Sequence, residues 1–389
     1  MRVLIYSEAF APKIGGVETI VMLLTQGLAQ HASSAPNELV EVTLATCTPA
    51  DGMNDAALPF CVVRRPNFSA LVRLLRRSDV IHLAGPCFLP LALGLLFRKP
   101  VVVEHHGYQA CCPNGLLFFE PSQSQCPGHF MAGRYRRCVE CRSVSLGGLR
   151  SLVALLLSFP RRWLCESVAC NVTISDHVAR RVLLPRSRTI YYGISDSPAM
   201  RQKENSVSRP LHFAYVGRLV AEKGLPILVG AAKLLKEQGC SFRLEFVGDG
   251  PERSRLESMV DSLGLRSVTT FTGALRGEAL EAALQDVGVV VMPSVWEETA
   301  GLSAIEHMMR GRAVIASDIG GLTEVVGDAG LKFSPGDTDG LARCMRLIIE
   351  HPSSRAELGR RGRERALKLF QTKGMIDAHA ALYREIVRR

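Results

Sequence analysis

His212-Phe-Ala-Tyr-Val-Gly217-Arg218-Leu-Val-Ala-Glu222-Lys223-Gly224 is a short apolar run that ends on glycine and opens into a charged loop. It reads as a strand followed by a turn, with an arginine and a lysine five residues apart where the next helix begins. The same grammar recurs on both sides. Further strands are expected at Arg243–Val247, Val268–Phe271, Val287–Met292, Ala313–Ala316 and Leu331–Phe333. Upstream, strands are expected at Arg2–Tyr6, Val40–Ala45, Val80–Leu83, Pro100–Glu104, Asn171–Ile174 and Thr189–Tyr192. Helical patterns lie between them, such as Val17–Gln30 with apolar residues at 17, 20, 21, 24 and 28. Short apolar strands alternating with helices imply parallel sheets covered on both faces. The stretch 196–210 has no apolar periodicity and is rich in serine and charge, so it reads as a linker. The expected fold is α/β, with two Rossmann-like doubly wound domains facing a cleft: 1–195, the linker 196–210, and 211–371. A last helix is expected within 372–389.

Composition supports two domains. The chain has 389 residues, 47% apolar and 22% charged, which excludes disordered, collagen-like and coiled-coil classes. The formal net charge of +10 is uneven: residues 1–195 carry 20 Lys/Arg against 12 Asp/Glu, and residues 196–389 carry 27 against 25. The first apolar run, Val3–Tyr6, is too short for the core of a secretory signal. The longest apolar stretches, Leu83–Phe97 and Leu146–Pro160, are interrupted by Pro86 and Pro90 and by Arg150, and fall short of a spanning helix. The second runs on into Arg161-Arg162-Trp163, which suits either a helix lying in a membrane interface or a buried helix with a basic end. The 12 cysteines, with no signal sequence visible, imply reduced thiols and a cytoplasmic setting.

Ligands of open α/β sheets bind beyond the carboxyl ends of the strands. There the first strand meets Gly15-Gly16-Val-Glu18, whose glycines let backbone amides approach an anion. The dinucleotide pattern G-x-G-x-x-G is missing, and strand two ends without an acidic residue for a ribose, which argues against a nicotinamide dehydrogenase. Arg218 and Lys223 suit a diphosphate, the first as a forked donor and the second as a point charge. A second glycine-rich strand end follows at Phe246-Val-Gly248-Asp249-Gly250-Pro251. Glu298 lies in the loop before a helix opening at Gly301-Leu302, and Glu306 about one turn inside it; both could face a ligand at the helix N-terminus. Asp337-Thr-Asp339 looks like a metal–diphosphate motif, but after Pro335-Gly336 and before an apolar run it reads as a turn and N-cap.

Together these motifs resemble glycosyltransferase family 4, the retaining enzymes of GT-B fold. The resemblance rests on Gly15-Gly16-Val-Glu18, Asp79-Val-Ile-His-Leu83, His106-Gly107, Gly217-Arg218…Glu222-Lys223-Gly224, Val247-Gly248-Asp-Gly-Pro251 and Glu298-x7-Glu306. It implies that Arg218 and Lys223 hold the donor diphosphate, Glu306 the nucleotide ribose and Glu298 the sugar. It places His106 at the reacting sugar, with the adjacent His105 as the alternative. Gly15, Gly16, Gly248, Gly301 and Leu302 complete the implied donor site. It further implies metal-independent transfer with retention, the departing phosphate taking the acceptor's proton. The first domain would bind the acceptor, and the final helix would return to that domain. The donor expected is a UDP- or GDP-sugar; no nucleic-acid motif is present.

Cys112, Cys126, Cys138 and Cys141 lie in an insert at 107–142 and end in a C-x2-C pair, so they are candidates for a structural zinc; shielded reduced thiols are the plain alternative. Two other functions are compatible with the fold: a sugar-nucleotide epimerase without an acceptor site, and a non-catalytic binding protein using the cysteine insert. Retention of all four of Arg218, Lys223, Glu298 and Glu306 argues against the latter. The surplus of positive charge in the first half then points to an acceptor at an anionic surface, a glycan or lipid-linked acceptor reached by peripheral association with the inner membrane face.

Overall fold

The computed structural model describes residues 1–13, 15–34, 40–196 and 210–388. The chain divides into two compact units, one of residues 1–121, 127–193 and 371–389, the other of 122–126 and 194–370. The linker expected at 196–210 lies, apart from its end residues, outside the described residues.

The first unit is built on a parallel seven-stranded sheet. Its strands are β1 (Arg2–Ser7), β2 (Glu41–Thr46), β3 (Cys61–Arg64), β4 (Val80–Ala84), β5 (Val101–His105), β8 (Cys170–Thr173) and β9 (Ser187–Thr189). Two two-residue strands, β6 (Phe118–Phe119) and β7 (Ser124–Gln125), stand outside it. The spatial order is β3-β2-β1-β4-β5-β8-β9. β1, β4 and β5 are buried almost end to end, because helices cover both faces. Asn67 caps the helix Phe68–Arg77 by accepting from the Ala70 amide at 2.9 Å, and Ser175 caps Asp176–Val182 through the Val178 amide at 3.2 Å.

Three departures from the sequence reading have physical causes. β3 went unrecognised because it is short and only half-buried, so it lacks an apolar signature. The strand expected at Thr189–Tyr192 lies earlier: Asn171 bonds to the Arg186 carbonyl and Ile190 to that of Thr173, so the ladder with β8 is complete before the apolar run ends. Ser122–Cys126, expected with its neighbours in the first domain, belongs to the second unit, where the Gln125 amide donates to Glu297 at 2.5 Å.

The second unit holds a six-stranded parallel sheet: β10 (Leu211–Val216), β11 (Phe242–Val247), β12 (Thr269–Gly273), β13 (Val289–Met292), β14 (Ala313–Ser317) and β15 (Leu331–Phe333), ordered β12-β11-β10-β13-β14-β15. Phe213, Tyr215, Phe246, Leu228 and Leu341 form its core, with Phe246 stacked on Phe271 at 4.8 Å between centroids. Asp337 is an N-cap, its carboxylate accepting from the Gly340 amide at 2.8 Å.

The final helix, Thr372–Arg388, is part of the first unit. It buries Met375, His379, Leu382 and Tyr383. Gly27 in the helix Gly16–Ser34 admits its close approach, since a methyl at Gly27 would meet Ile376 at 1.9 Å. That contact puts histidine and tyrosine side chains from the end of the chain against β4.

Candidate functional site

Each sheet reverses its strand order once, between β1 and β4 in the first and between β10 and β13 in the second. At such a reversal the loops leave in opposite directions and open a crevice at the carboxyl ends of the strands. In the second unit the predicted residues come from the two loops flanking that point: Gly217, Arg218 and Lys223 after β10, Glu298, Gly301 and Glu306 after β13.

Backbone contacts fix these loops. Val295 N–H donates to the Glu222 carbonyl at 3.0 Å, joining the loop after β10 to the loop after β13. Gly217 N–H bonds to Val247 O and Leu219 N–H to Asp249 O, joining it to the loop after β11. Gly248 permits this meeting: its φ is +147°, and a Cβ there would lie 1.9 Å from the Gly217 carbonyl oxygen. The Tyr215 hydroxyl donates to the Arg218 carbonyl at 2.7 Å, which fixes the backbone while the Arg218 side chain stays 75% exposed.

Glu298 is buried. Lys223 Nζ lies 2.5 Å from its Oε1, and the Ser294 hydroxyl donates to the same oxygen at 2.6 Å. Burial alone would push this carboxyl up, but the Lys223 charge and the hydrogen bonds from Lys223 and Ser294 hold it below its usual value. Lys223 also sits 5.5 Å from the centre of the Trp296 ring. Glu306 differs. It sits on the helix Leu302–Met309, half-buried, and its carboxylate has no hydrogen-bond partner among the described residues. Burial, opposed by Arg310 and reinforced by Glu281, raises its pKa. Gly301 N-caps that helix with φ +59°, leaving the Leu302 and Ser303 amides in the unsatisfied first turn.

In the first unit, Gly15 and Gly16 follow β1, and a methyl at Gly15 would strike the Glu18 carboxylate at 2.4 Å. The adjacent histidines at the end of β5 have separate fates. His105 Nε2 donates to Asn171 Oδ1 at 2.9 Å; that oxygen is the acceptor because the Asn171 amide nitrogen is spent on the Cys165 and Pro185 carbonyls. Burial drives its pKa down to about 4, so it is a neutral structural tie. His106 Nδ1 meets the Tyr192 hydroxyl at 2.7 Å, and its Nε2 lies 3.5 Å from Glu104. Burial lowers its pKa, with the Glu104 charge opposing.

The structure thus brings Lys223 and Glu298 into direct contact, leaves Arg218 exposed with Glu222 3.9 Å away, and leaves the Glu306 carboxylate without a hydrogen-bond partner among the described residues. Sequence reading missed Ser294, Trp296 and Tyr192; the partners of Trp296 and Tyr192 lie 73 and 86 residues away along the chain, whereas Ser294, four residues before Glu298, gave the one local signal. Of the cysteine set, Cys112, Cys126, Cys138 and Cys141 are all buried. Cys141 Sγ accepts from Asn114 Nδ2 and from the Glu120 amide, each at 3.4 Å. The helix Gly148–Glu166 is not a buried one: Ser151, Leu155, Ser158 and Cys165 face inward, while Leu149, Leu152, Val153, Leu156, Leu157 and Trp163 are exposed. No helix among the described residues is long and apolar enough to cross a membrane.

Two doubly wound units carrying these loops have the architecture of GT-B glycosyltransferases. The sucrose-phosphate synthase of Thermosynechococcus elongatus superposes with a TM-score of 0.73 at 22% identity, covering 99% of this chain and 98% of that one. Anabaena HepE, solved in complex with UDP-glucose, gives 0.72 at 17% identity over 99% and 100%. At these identities the likeness is one of fold. Residues 196–365 match the family described as Glycosyl transferases group 1, so the second unit is a domain of that kind. The 2-deoxystreptamine glucosyltransferase of Streptomyces kanamyceticus is 38% identical over 154 residues, 39% of this chain and 40% of that relative. The chain spans about half the length of the curated relatives it matches, 40% here and 58% in another.

Proposed function

We propose that the chain is a retaining glycosyltransferase of family 4. It moves a hexosyl group from a UDP- or GDP-sugar to a glycan or lipid-linked acceptor at the cytoplasmic face of a membrane, without a catalytic metal. The observation that carries the reading is the set at the β10/β13 switch point: exposed Arg218, the Lys223–Glu298–Ser294 group, and unpaired Glu306 on a helix opening at Gly301. Breaking the donor bond places negative charge on the leaving phosphate and positive charge on the anomeric carbon. Arg218, Lys223 and the first-turn amides of Leu302 and Ser303 suit the former. Glu298, ionised and held in place, suits the sugar end, and the unpaired carboxyl of Glu306 suits a pair of ribose hydroxyls. His106 is the first unit's candidate for the reacting sugar. The carbon–phosphate oxygen bond breaks, the carbon–acceptor oxygen bond forms, and the departing phosphate takes the acceptor's proton. HepE's complex with UDP-glucose supports a nucleotide-sugar donor for the shared fold.

The acceptor reading rests on the first unit. Leu149, Leu152, Leu156 and Trp163 recur on one exposed face of their helix, with exposed Arg150 beside them. Arg73, Arg76, Arg77, Arg134 and Arg136 add exposed positive charge in the same unit. On spacing, Cys112, Cys126, Cys138 and Cys141 are proposed as a structural zinc set, tested by metal analysis of protein purified without chelator.

A panel of UDP-, GDP- and ADP-sugars scored by thermal stabilisation tests the function. A true donor at about 100 times its Kd stabilises by about 2.7 kcal/mol, and Arg218→Ala abolishes the shift. No shift from any nucleotide sugar overturns the reading.

A further inference from the structure

Glu104 is fully buried on β5, and its ion pairs among the described residues are all with histidines. His82, on the neighbouring strand β4, places Nε2 3.2 Å from Glu104 Oε2. His379, from the final helix, places Nε2 3.8 Å from Glu104 Oε1. The three donor atoms lie within 4.8 Å of one another, and all three residues are buried.

The hydrogen bonds behind this triad decide what it can hold. His379 Nδ1 lies 2.9 Å from the Met375 carbonyl, which only accepts, so Nδ1 carries the ring proton and Nε2 presents a lone pair. That lone pair faces a carboxylate oxygen, and both atoms are buried without a hydrogen-bond partner. Two buried acceptors aimed at one another are unfavourable unless a proton, a water or a metal cation lies between them. The far side of His82 is held by the Tyr383 hydroxyl at 2.9 Å from Nδ1; in the tautomer where Nδ1–H donates to that hydroxyl, Nε2 exchanges its hydrogen bond to Glu104 for a lone pair that can serve as a ligand. A backbone carbonyl and a phenol fixing the outer nitrogens of two imidazoles form the outer shell that metal-ligating histidines use.

We propose that His82 Nε2, Glu104 and His379 Nε2 bind one divalent transition-metal ion, with Zn2+ the best match. Two imidazoles and a carboxylate suit zinc and disfavour calcium and magnesium, which prefer all-oxygen shells. Donors sharing a tetrahedral zinc at about 2.0–2.1 Å stand about 3.3 Å apart; here His82 Nε2 lies 3.2 Å from Glu104 Oε2 and His379 Nε2 lies 3.8 Å from Glu104 Oε1, with one donor atom from each residue within 4.8 Å of the others, so binding draws the set slightly inward. The ion ties the final helix to β4 and β5 inside the first unit; Glu104 also lies 3.5 Å from His106 Nε2, but metal binding at this set does not rest on the reading of sugar transfer.

The test uses the full chain carrying Cys138→Ser and Cys141→Ser, which removes the closest thiolate pair. After chelator treatment it is titrated with Zn2+ and, separately, with Co2+. The expected result is one equivalent bound, a rise in melting temperature, and a cobalt spectrum with ligand-field bands but no thiolate charge-transfer band. Adding His379→Gln, whose amide can donate to Glu104 and keep the interior satisfied, should abolish binding while the protein stays folded. No metal above background in the cysteine variant, a thiolate cobalt spectrum, or undiminished binding with His379→Gln overturns the proposal. Should His379→Gln prove insoluble, the stoichiometry and cobalt spectrum of the cysteine variant decide alone.

Discussion

Replacing Lys223 by methionine keeps the bulk of the side chain and removes its charge from a contact of 2.5 Å with a carboxylate whose side chain is 7% exposed. Glu298 is left as a buried anion with only hydrogen bonds to hold it. Breaking one partner of a buried ion pair costs about 3–5 kcal/mol. The Ser294 hydroxyl at 2.6 Å still serves the carboxylate, which places the expected loss near the lower end, about 3 kcal/mol. For a unit of this size, about 2–4 °C per kcal/mol, the melting transition should fall by about 6–12 °C. The pH dependence reverses as well. In the wild type the folded pKa of Glu298 is depressed. Its contribution is therefore present at neutral pH and lost as pH falls through the folded value. In Lys223→Met burial is opposed only by hydrogen bonds, so the folded pKa rises, and stability is highest in acid and lost as pH climbs through that raised value. Melting curves at pH 5 and pH 8 read both effects. Lys223→Met with Glu298→Gln removes the orphaned charge and should recover all but about 1 kcal/mol. A single variant that melts like the wild type at pH 8, or a double variant no more stable than the single, refutes the account of the pair.

Arg218→Ala should leave the melting temperature unchanged, since the side chain is 75% exposed and its nearest acid is 3.9 Å away; donor turnover should fall by about 10²–10³ as one stabilising donor to the leaving phosphate is lost. Gly320→Ala should lower stability by about 1–3 kcal/mol, because φ is +63° and the new methyl would lie 2.6 Å from the Glu298 carbonyl oxygen; calorimetry checks it. Tyr192→Phe removes the hydroxyl 2.7 Å from His106 Nδ1, with an expected stability loss of about 1 kcal/mol; kcat for sugar transfer should fall more than KM changes. Leu152→Glu with Leu156→Glu should abolish flotation with anionic vesicles at low salt and leave turnover on a soluble acceptor intact.

The strands of both sheets were legible because a parallel strand covered on both faces is buried and mostly apolar, as β1, β4, β5 and β13 are, with His82, Glu104 and His105 among the buried polar exceptions. The glycines and charges that end them were legible for the same reason, since a strand end is where an apolar run stops. What stayed hidden is contact between segments far apart in sequence. Lys223 and Glu298 read as two independent ligands, one for phosphate and one for sugar, yet each is the other's nearest opposite charge, and a spacing of 75 residues carries no such instruction. His82 and Glu104 looked like ordinary members of apolar strands. Only the approach of the final helix, admitted by Gly27, makes them one polar cluster with His379 and Tyr383. The positive surplus of the first half also changes meaning once its partners are known. Arg64 is spent on Asp55 and on the carbonyls of Ala11, Thr48 and Pro49, and Arg162 on that of Val182. These two hold loops together rather than an anionic surface. The charge free for an acceptor therefore includes exposed Arg73, Arg77, Arg134, Arg136 and Arg150. Neutralising those five should weaken vesicle binding steeply with salt, whereas Arg64→Ala should cost stability and leave the salt dependence of binding unchanged.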